Sequence, residues 1–414
     1  MLEKMKSAWR IPELRKKIIY TFGMLLLYRL LCCIPVPGVN IAAVSDAVKS
    51  FSVLDFMNMM TGGSFQNMTI MAMGITPYIN ASIILQLLTV AIPTLEKLAK
   101  EGPEGRKKIT EWTRYLTVAL AFIQAVGLVF AMRANSYGGI WYLVIGVSMA
   151  AGTSLAMWIG ERITENGIGN GISLLIMAGI VSNMFNWSRQ AVVGMVNGTV
   201  GIIAVLVVIV AFLVMIVAIT YVDMGERRIP VQYAKRMVGR KMYGGQSTHI
   251  PMKLNSTGVM PLIFGFAILQ FPATVFAFFP TSGINLWWQG FQSGVWYQVV
   301  LAVLIIAFTY FYTGITFNPA DISKNMQQNG GIIPGIRQGR ATTDYLARVS
   351  SRLTLFSALF LAVLATIPTI ITRLFGVSTP FAASSVLIAV SVGIETIRQI
   401  EAQMVMRHHK GFLG

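Results

Sequence analysis

The sequence predicts an all-α, polytopic membrane protein of ten transmembrane helices, in two halves of inverted topology with a short re-entrant element. Three observations lead there. Of the 414 residues 55% are hydrophobic and only 12% are charged, too little polar surface for a soluble chain of this length. Apolar windows long enough to span a bilayer fall at 18–34, 70–92, 114–132, 140–160, 168–185, 200–222, 257–279, 296–317, 353–371 and 384–404. The third observation is where the basic residues lie.

The formal charge is +17, and 28 of the 33 Lys and Arg residues fall in the N-terminal segment, the even-numbered connections, or the last window and tail. Only Arg29, Lys49, Arg133, Arg189 and Arg373 fall elsewhere. The positive-inside rule therefore predicts cytoplasmic termini and cytoplasmic even connections. Five windows per half is an odd number, so the second half enters the membrane from the opposite side. The expected division is 1–222, with the sixth window opening the second repeat at about 200; a basic cytoplasmic loop, 223–256; and 257–414, which contains the remaining spans, a second loop at 318–352 and a short tail.

The first window follows a basic, Trp-containing start with no small-residue cleavage site, which predicts that the N-terminus is retained. Cys32 and Cys33 are adjacent within apolar sequence, unsuited to an unstrained disulfide or a metal site. Arg29 lies within the same window. The stretch from Asp55 to Val90 is unusual. Its second part can span, but Asn58, Thr61, Gly62, Gly63, Ser64, Gln66 and Asn67 interrupt the methionines and phenylalanines of the first. Such a half-polar, glycine-broken segment suits backbone that lies in protein or lines an aqueous cavity, and predicts a re-entrant element inside a pore.

Further along, Gly167, Ile168, Gly169, Asn170 and Gly171 open the fifth window, where helix entry and close packing explain them better than phosphate binding. In the sixth connection Val231 and Tyr233 alternate with Gln232 and Lys235 before a Gly-Gly pair, which predicts a projecting hairpin. Its basic character suits acidic protein or RNA phosphate. Ile79 and Ile83, and Ile172 and Ile176, are each one turn apart on a helix face, and Ile263 follows Pro261 in the seventh window. Periodicity alone does not separate a pore lining from ordinary packing. In the last window Glu395, Arg398 and Glu401 are spaced for a salt-bridged helix end.

Several chemistries lack their residues. There is no GxxxxGK[ST] loop, and His249, His408 and His409 have no carboxylate or thiol at ligand spacing, so neither a cofactor, a metal site nor catalytic residues are expected. Nine of the ten windows hold no Asp or Glu, which argues against an ion-coupled carrier. A membrane-embedded enzyme would need a His, Cys or Asp pair at mid-membrane, and no such pair is present.

Longer segments resemble a known family. IPVPGV (34–39), ITPYINASIILQLL (75–88), EGPEGRKKITEWTRY (101–115), ERITENGIGNGISLLI (161–176), ERRIPVQYAKR (226–236), QSTHIPMKLNSTGVMP (246–261), FPAT (271–274) and PGIRQGRAT (334–342) are similar to SecY, the central subunit of the bacterial protein-conducting channel. The ending resembles Gram-positive members; chloroplast relatives share the motifs. The resemblance implies an hourglass with an apolar constriction formed by Ile79, Ile83, Ile172, Ile176, Ile263 and Ile388, with Val392 the alternative in the tenth span. It makes the re-entrant element a short plug helix that includes Phe56, Met57, Met59, Met60, Gly62, Gly63, Phe65 and Asn67. Gln86, Gln124 and Phe271 would face a lateral gate formed by the second, third, seventh and eighth spans.

Partners follow by the same resemblance. SecE would clasp the halves and SecG bind peripherally, while the SecA motor ATPase or the ribosome would dock on Arg227, Arg228, Lys235, Arg236, Arg240, Lys241, Arg337 and Arg340. The implied function is a passive, non-enzymatic pore in the bacterial plasma membrane. It would translocate unfolded secretory polypeptides bearing signal sequences and release transmembrane segments sideways into membrane lipid.

Overall fold

A computed structural model describes residues 9, 11–41, 44, 58, 61–131, 138–198, 201–233, 236–238, 241–243, 247–277, 283–375 and 383–410. A helix lies over each of the ten apolar windows. These are α1 (Pro12–Leu31), α2 (Thr76–Ala91), α4 (Pro103–Ala131), α5 (Gly139–Asn166), α6 (Gly171–Val196), α7 (Ile202–Met224), α8 (Met260–Ala277), α10 (Val295–Thr316), α12 (Arg340–Phe375) and α13 (Ala383–Lys410). Shorter helices α3 (Pro93–Lys100), α9 (Gly283–Ser293) and α11 (Pro319–Gln328) connect them. Among the described residues six helices are long and apolar enough to cross a membrane by themselves, seven if α2 and α3 count as one broken span.

The boundaries follow local chemistry. Residues 70–75 are turns, so the second helix starts at Thr76, with Pro77 at its first turn, rather than at residue 70. It ends at Ala91 because Ile92 precedes Pro93, which pushes Ile92 into extended backbone at ψ 112° and turns the chain by 107° into α3. Asn170 caps α6: its Oδ1 accepts from the amides of Ile172 at 3.1 Å and Ser173 at 3.3 Å. Gly171 is required there, because a Cβ would overlap the Gly160 carbonyl of α5. The GIGNG segment is therefore a helix entry, as its sequence suggests.

Packing repeats between the halves. In the first, α2 packs on α4, α4 on α5, α5 on α6, and α1 on both α5 and α6. In the second, α8 packs on α10, α10 on α12, α12 on α13, and α7 on both α12 and α13. Each contact has its counterpart at the same ordinal position. The halves meet broadly where α6 packs on α13 and at few points where α4 touches α8.

Outward faces are apolar. Along α7, Ile202, Ile203, Leu206, Val214 and Val217 are exposed, Ile203 by 78%. An apolar surface of this kind matches lipid rather than water.

The basic connections form strands as well as loops. Strand β1 (Glu226–Tyr233) pairs antiparallel with β4 (Ser247–Lys253), in register Ile229 with Ile250. Strands β2 (Arg236–Val238) and β3 (Lys241–Tyr243) continue the excursion as a second ladder. The other edge of β1 pairs with β5 (Gly331–Ile332), which belongs to the connection at 318–352. The two long loops are therefore one body. It has its own core, in which Ile229, Val231 and Met252 of the sheet meet Met326, Ile333 and Leu346.

Candidate functional site

Where the halves face each other, apolar side chains from α2, α6, α8 and α13 converge. Ile176, Ile388 and Val392 are buried in one cluster, with Ile79, Ile172, Ile263 and Ala389 packed against it. Five of the six sequence-predicted constriction residues thus meet. The sixth, Ile83, is buried one turn farther along α2 and lies outside that cluster. The tenth span contributes both of its candidates, since Ile388 and Val392 are one helical turn apart on one face.

On one side of the collar lies a cavity of about 540 Å³. Ile176, Ile263, Ile388 and Val392 line it together with polar groups such as Asn170, Thr257, Ser391, Glu395 and Arg398. Glu395 and Arg398, two of the three charged residues expected at that helix end, face this space, which is wide and polar enough to solvate both. Asn255 braces the wall: its Nδ2 donates to Asp223 Oδ1 at 3.2 Å, and its Oδ1 accepts from Ser357 Oγ at 3.1 Å and Thr257 Oγ1 at 3.3 Å.

Among the described residues the other side is closely packed, with Thr61, Phe65, Met71 and Leu175 buried. A space of about 10 Å³, roughly one water-sized probe, lies between Thr61, Tyr28, Gly74, Ile79, Leu175 and Ile176. Ile176 lines both spaces, so one isoleucine layer divides an open polar vestibule from a filled one. Such a layer of branched apolar side chains can dewet and stop ions.

The filling is the half-polar segment. Of the sequence-predicted plug residues, Phe56, Met57, Met59 and Met60 lie outside the described residues. Gly62, Gly63, Phe65 and Asn67 are described: Asn58 and Thr61 are helical, and from 62 to 68 the chain turns. Gly62 at φ +67° and Gly63 at φ +89° adopt left-handed backbone that ends any helix. Asn58 holds the turn, its Oδ1 accepting from the Gln66 amide at 3.0 Å and its carbonyl from the Gly63 amide at 3.0 Å. Phe65, fully buried, anchors it against Val129, Ile145 and Met149. Asn67 is exposed.

Arg29 joins this segment to the collar. Its guanidinium donates to the Ala178 carbonyl on α6, and Gly62 lies so close that a Cβ there would stand 2.7 Å from Arg29 Nη1 and 2.8 Å from the Gly179 carbonyl. Sequence reasoning gave Arg29 no role. Its signal was a lone cation in an apolar window; besides the neighbouring Tyr28 ring, 5.8 Å from its guanidinium, its hydrogen-bond partner is remote in sequence.

Of the expected gate residues, Gln86 is exposed on α2 with its Nε2 3.5 Å from Ser82 Oγ, and Gln124 is half-buried on α4. Phe271 lies on α8, with its side chain outside the described ones. Of the expected docking residues, Arg227 and Arg228 are exposed on β1, Arg236 lies on β2 and Lys241 on β3. Arg337 is exposed in the turn before α12, and Arg340 at that helix's start; Lys235 and Arg240 lie outside the described residues.

The family profile named SecY matches residues 69–397. The chain belongs to the SecY family. It is 42% identical to the protein translocase subunit SecY of Aquifex aeolicus and 43% identical to that of Streptomyces scabiei, each alignment covering all of both chains. Among solved structures, one described as a protein conducting channel superposes with TM-score 0.71 at 20% identity over 97% of each chain. The canine Sec61 of a ribosome–channel complex superposes with TM-score 0.67 at 18% identity, also over 97% of each chain. These likenesses establish the fold, that of a polytopic bundle in the SecY and Sec61 class.

Proposed function

We propose that this chain is a passive protein-conducting channel. Unfolded secretory polypeptides thread through the Ile79, Ile172, Ile176, Ile263, Ile388 and Val392 collar, with Ile83 farther along α2, and transmembrane segments leave sideways into lipid. The carrying observation is the single isoleucine layer between the 540 Å³ vestibule and the filled side, because a pore that stays ion-tight needs such a seal. Branched side chains can give way around a chain of varied residues and close again. No bond is made or broken, so the chain needs no catalytic residue.

The unequal contact between halves supports the lateral exit. The broad α6–α13 seam suits a hinge and the sparse α4–α8 seam a gate, past which an apolar segment partitions by its own hydrophobicity. Residues 56–67 act as the plug on the outer side. The joined basic body would be the docking surface for a motor ATPase such as SecA or for a ribosome, with Arg337 at the projecting turn; SecE and SecG would complete the complex. Related translocase subunits and a ribosome-bound Sec61 relative support this assignment. The basic bias supports a cytoplasmic location for that body and both termini in a bacterial cell.

A photoreactive residue replacing Ile176 or Ile388 tests the path, in vesicles holding this chain, SecE and the motor with a stalled secretory substrate. Adducts from both positions that need the signal sequence are expected. Efficient export without adducts would put the path elsewhere and leave the isoleucines as packing.

A further inference from the structure

A second cavity, of about 140 Å³, lies away from the collar. It opens between the start of β1 and the first turns of α12, and its lining includes Arg227, Arg348, Arg352 and Tyr345. Three guanidinium groups on one small space repel each other unless an anion joins them. Among the described residues no carboxylate pairs with any of the three. The nearest acid in sequence to Arg227, Glu226, is already paired with Arg228 at 2.7 Å. Arg348 Nε reaches only the Asp344 carbonyl, at 3.4 Å.

What distinguishes this cavity from a generic basic patch is the surface beneath it. Arg348, Arg352, Leu355, Leu359 and Val363 follow one another on one face of α12, at spacings of three and four residues. The apolar members are exposed, Leu355 by 48%, Leu359 by 51% and Val363 by 59%. From Arg352 to Val363 the helix rises about 16 Å. That is close to one leaflet of a hydrocarbon core roughly 30 Å thick. A cationic, anion-binding pocket thus sits at the top of an uncovered apolar track of leaflet depth.

We propose that Arg227, Arg348 and Arg352 hold the phosphate headgroup of an anionic phospholipid, with an acyl chain along the Leu355–Val363 face. Bidentate guanidinium geometry suits phosphate oxygens. Nucleic-acid phosphate or an acidic protein segment would satisfy the arginines but leave the apolar track bare. The inference stands apart from the pore reading, since it needs only the membrane boundary at Arg352.

Native mass spectrometry of the full chain in detergent, titrated separately with phosphatidylglycerol, phosphatidylcholine and inorganic phosphate, tests it. One phosphatidylglycerol retained in preference to phosphatidylcholine is expected. Arg348→Gln with Arg352→Gln should weaken it about thirty-fold, equivalent to roughly 1 kcal/mol per arginine. Leu359→Asn should weaken the lipid while leaving any binding of inorganic phosphate unchanged. If the double variant fails to fold, Arg227→Gln, on a separate element, should still lower retention about five-fold. Equal retention of both lipids, unchanged retention in the variants, or occupancy by inorganic phosphate alone would overturn the proposal. So would loss of RNA or partner-protein binding while lipid retention stays constant.

Discussion

At the scale of residues, the decisive contacts are few and lie beside the collar. Gly62 is the sharpest, because left-handed backbone and the approach of Arg29 coincide there. Gly62→Ala should cost about 1–2 kcal/mol locally for the backbone alone, and more for the displaced guanidinium. Single-channel recording should then show spontaneous ion leakage in the resting channel. A membrane as tight as the parent's would mean the turn at 62–68 contributes nothing to the seal. Part of this was legible in sequence: glycines and amides inside an apolar run announce irregular backbone. Arg29 was not, because the Ala178 carbonyl it reaches is 149 residues away.

Elements show a different balance. The ten helices could be read from apolar length, and α2 and α6 show how local residues, Pro93 and Asn170, set their ends. The sheet could be read only in part, since alternation at 229–233 announces strands but not the β5 edge that joins them from a remote loop. The wall of the vestibule depends on a comparable joint: buried Asn255 links the segment before α8 to Asp223 at the end of α7 and to Ser357 on α12. Asn255→Ala leaves buried polar partners unsatisfied and should destabilise by about 1–3 kcal/mol. Paired with Ser357→Ala in thermal unfolding, the two losses should be non-additive by about 0.5 kcal/mol or more. Simple additivity would remove the coupling.

For the whole molecule, two halves with the same packing order surround a vestibule and meet more broadly at one seam than at the other. Orientation is the prediction that belongs here. With Cys32 and Cys33 replaced by serine, a membrane-impermeant maleimide applied to intact cells should label Gly201→Cys, in the exposed link between α6 and α7. It should spare Gln328→Cys, at the exposed end of α11, until the cells are opened. The reverse pattern would invert the chain and put the basic body outside.

The sequence by itself determined the number of apolar windows and their expected orientation. A bilayer acts on each segment separately: apolar length selects a span, and flanking charge biases its direction, without reference to the rest of the chain. The tertiary structure alone decided that five of six isoleucines meet, that Ile176 divides an open space from a filled one, and that two basic loops form one body. These depend on contacts between residues far apart in sequence, and no window of local residues carries the geometry that closes such distances.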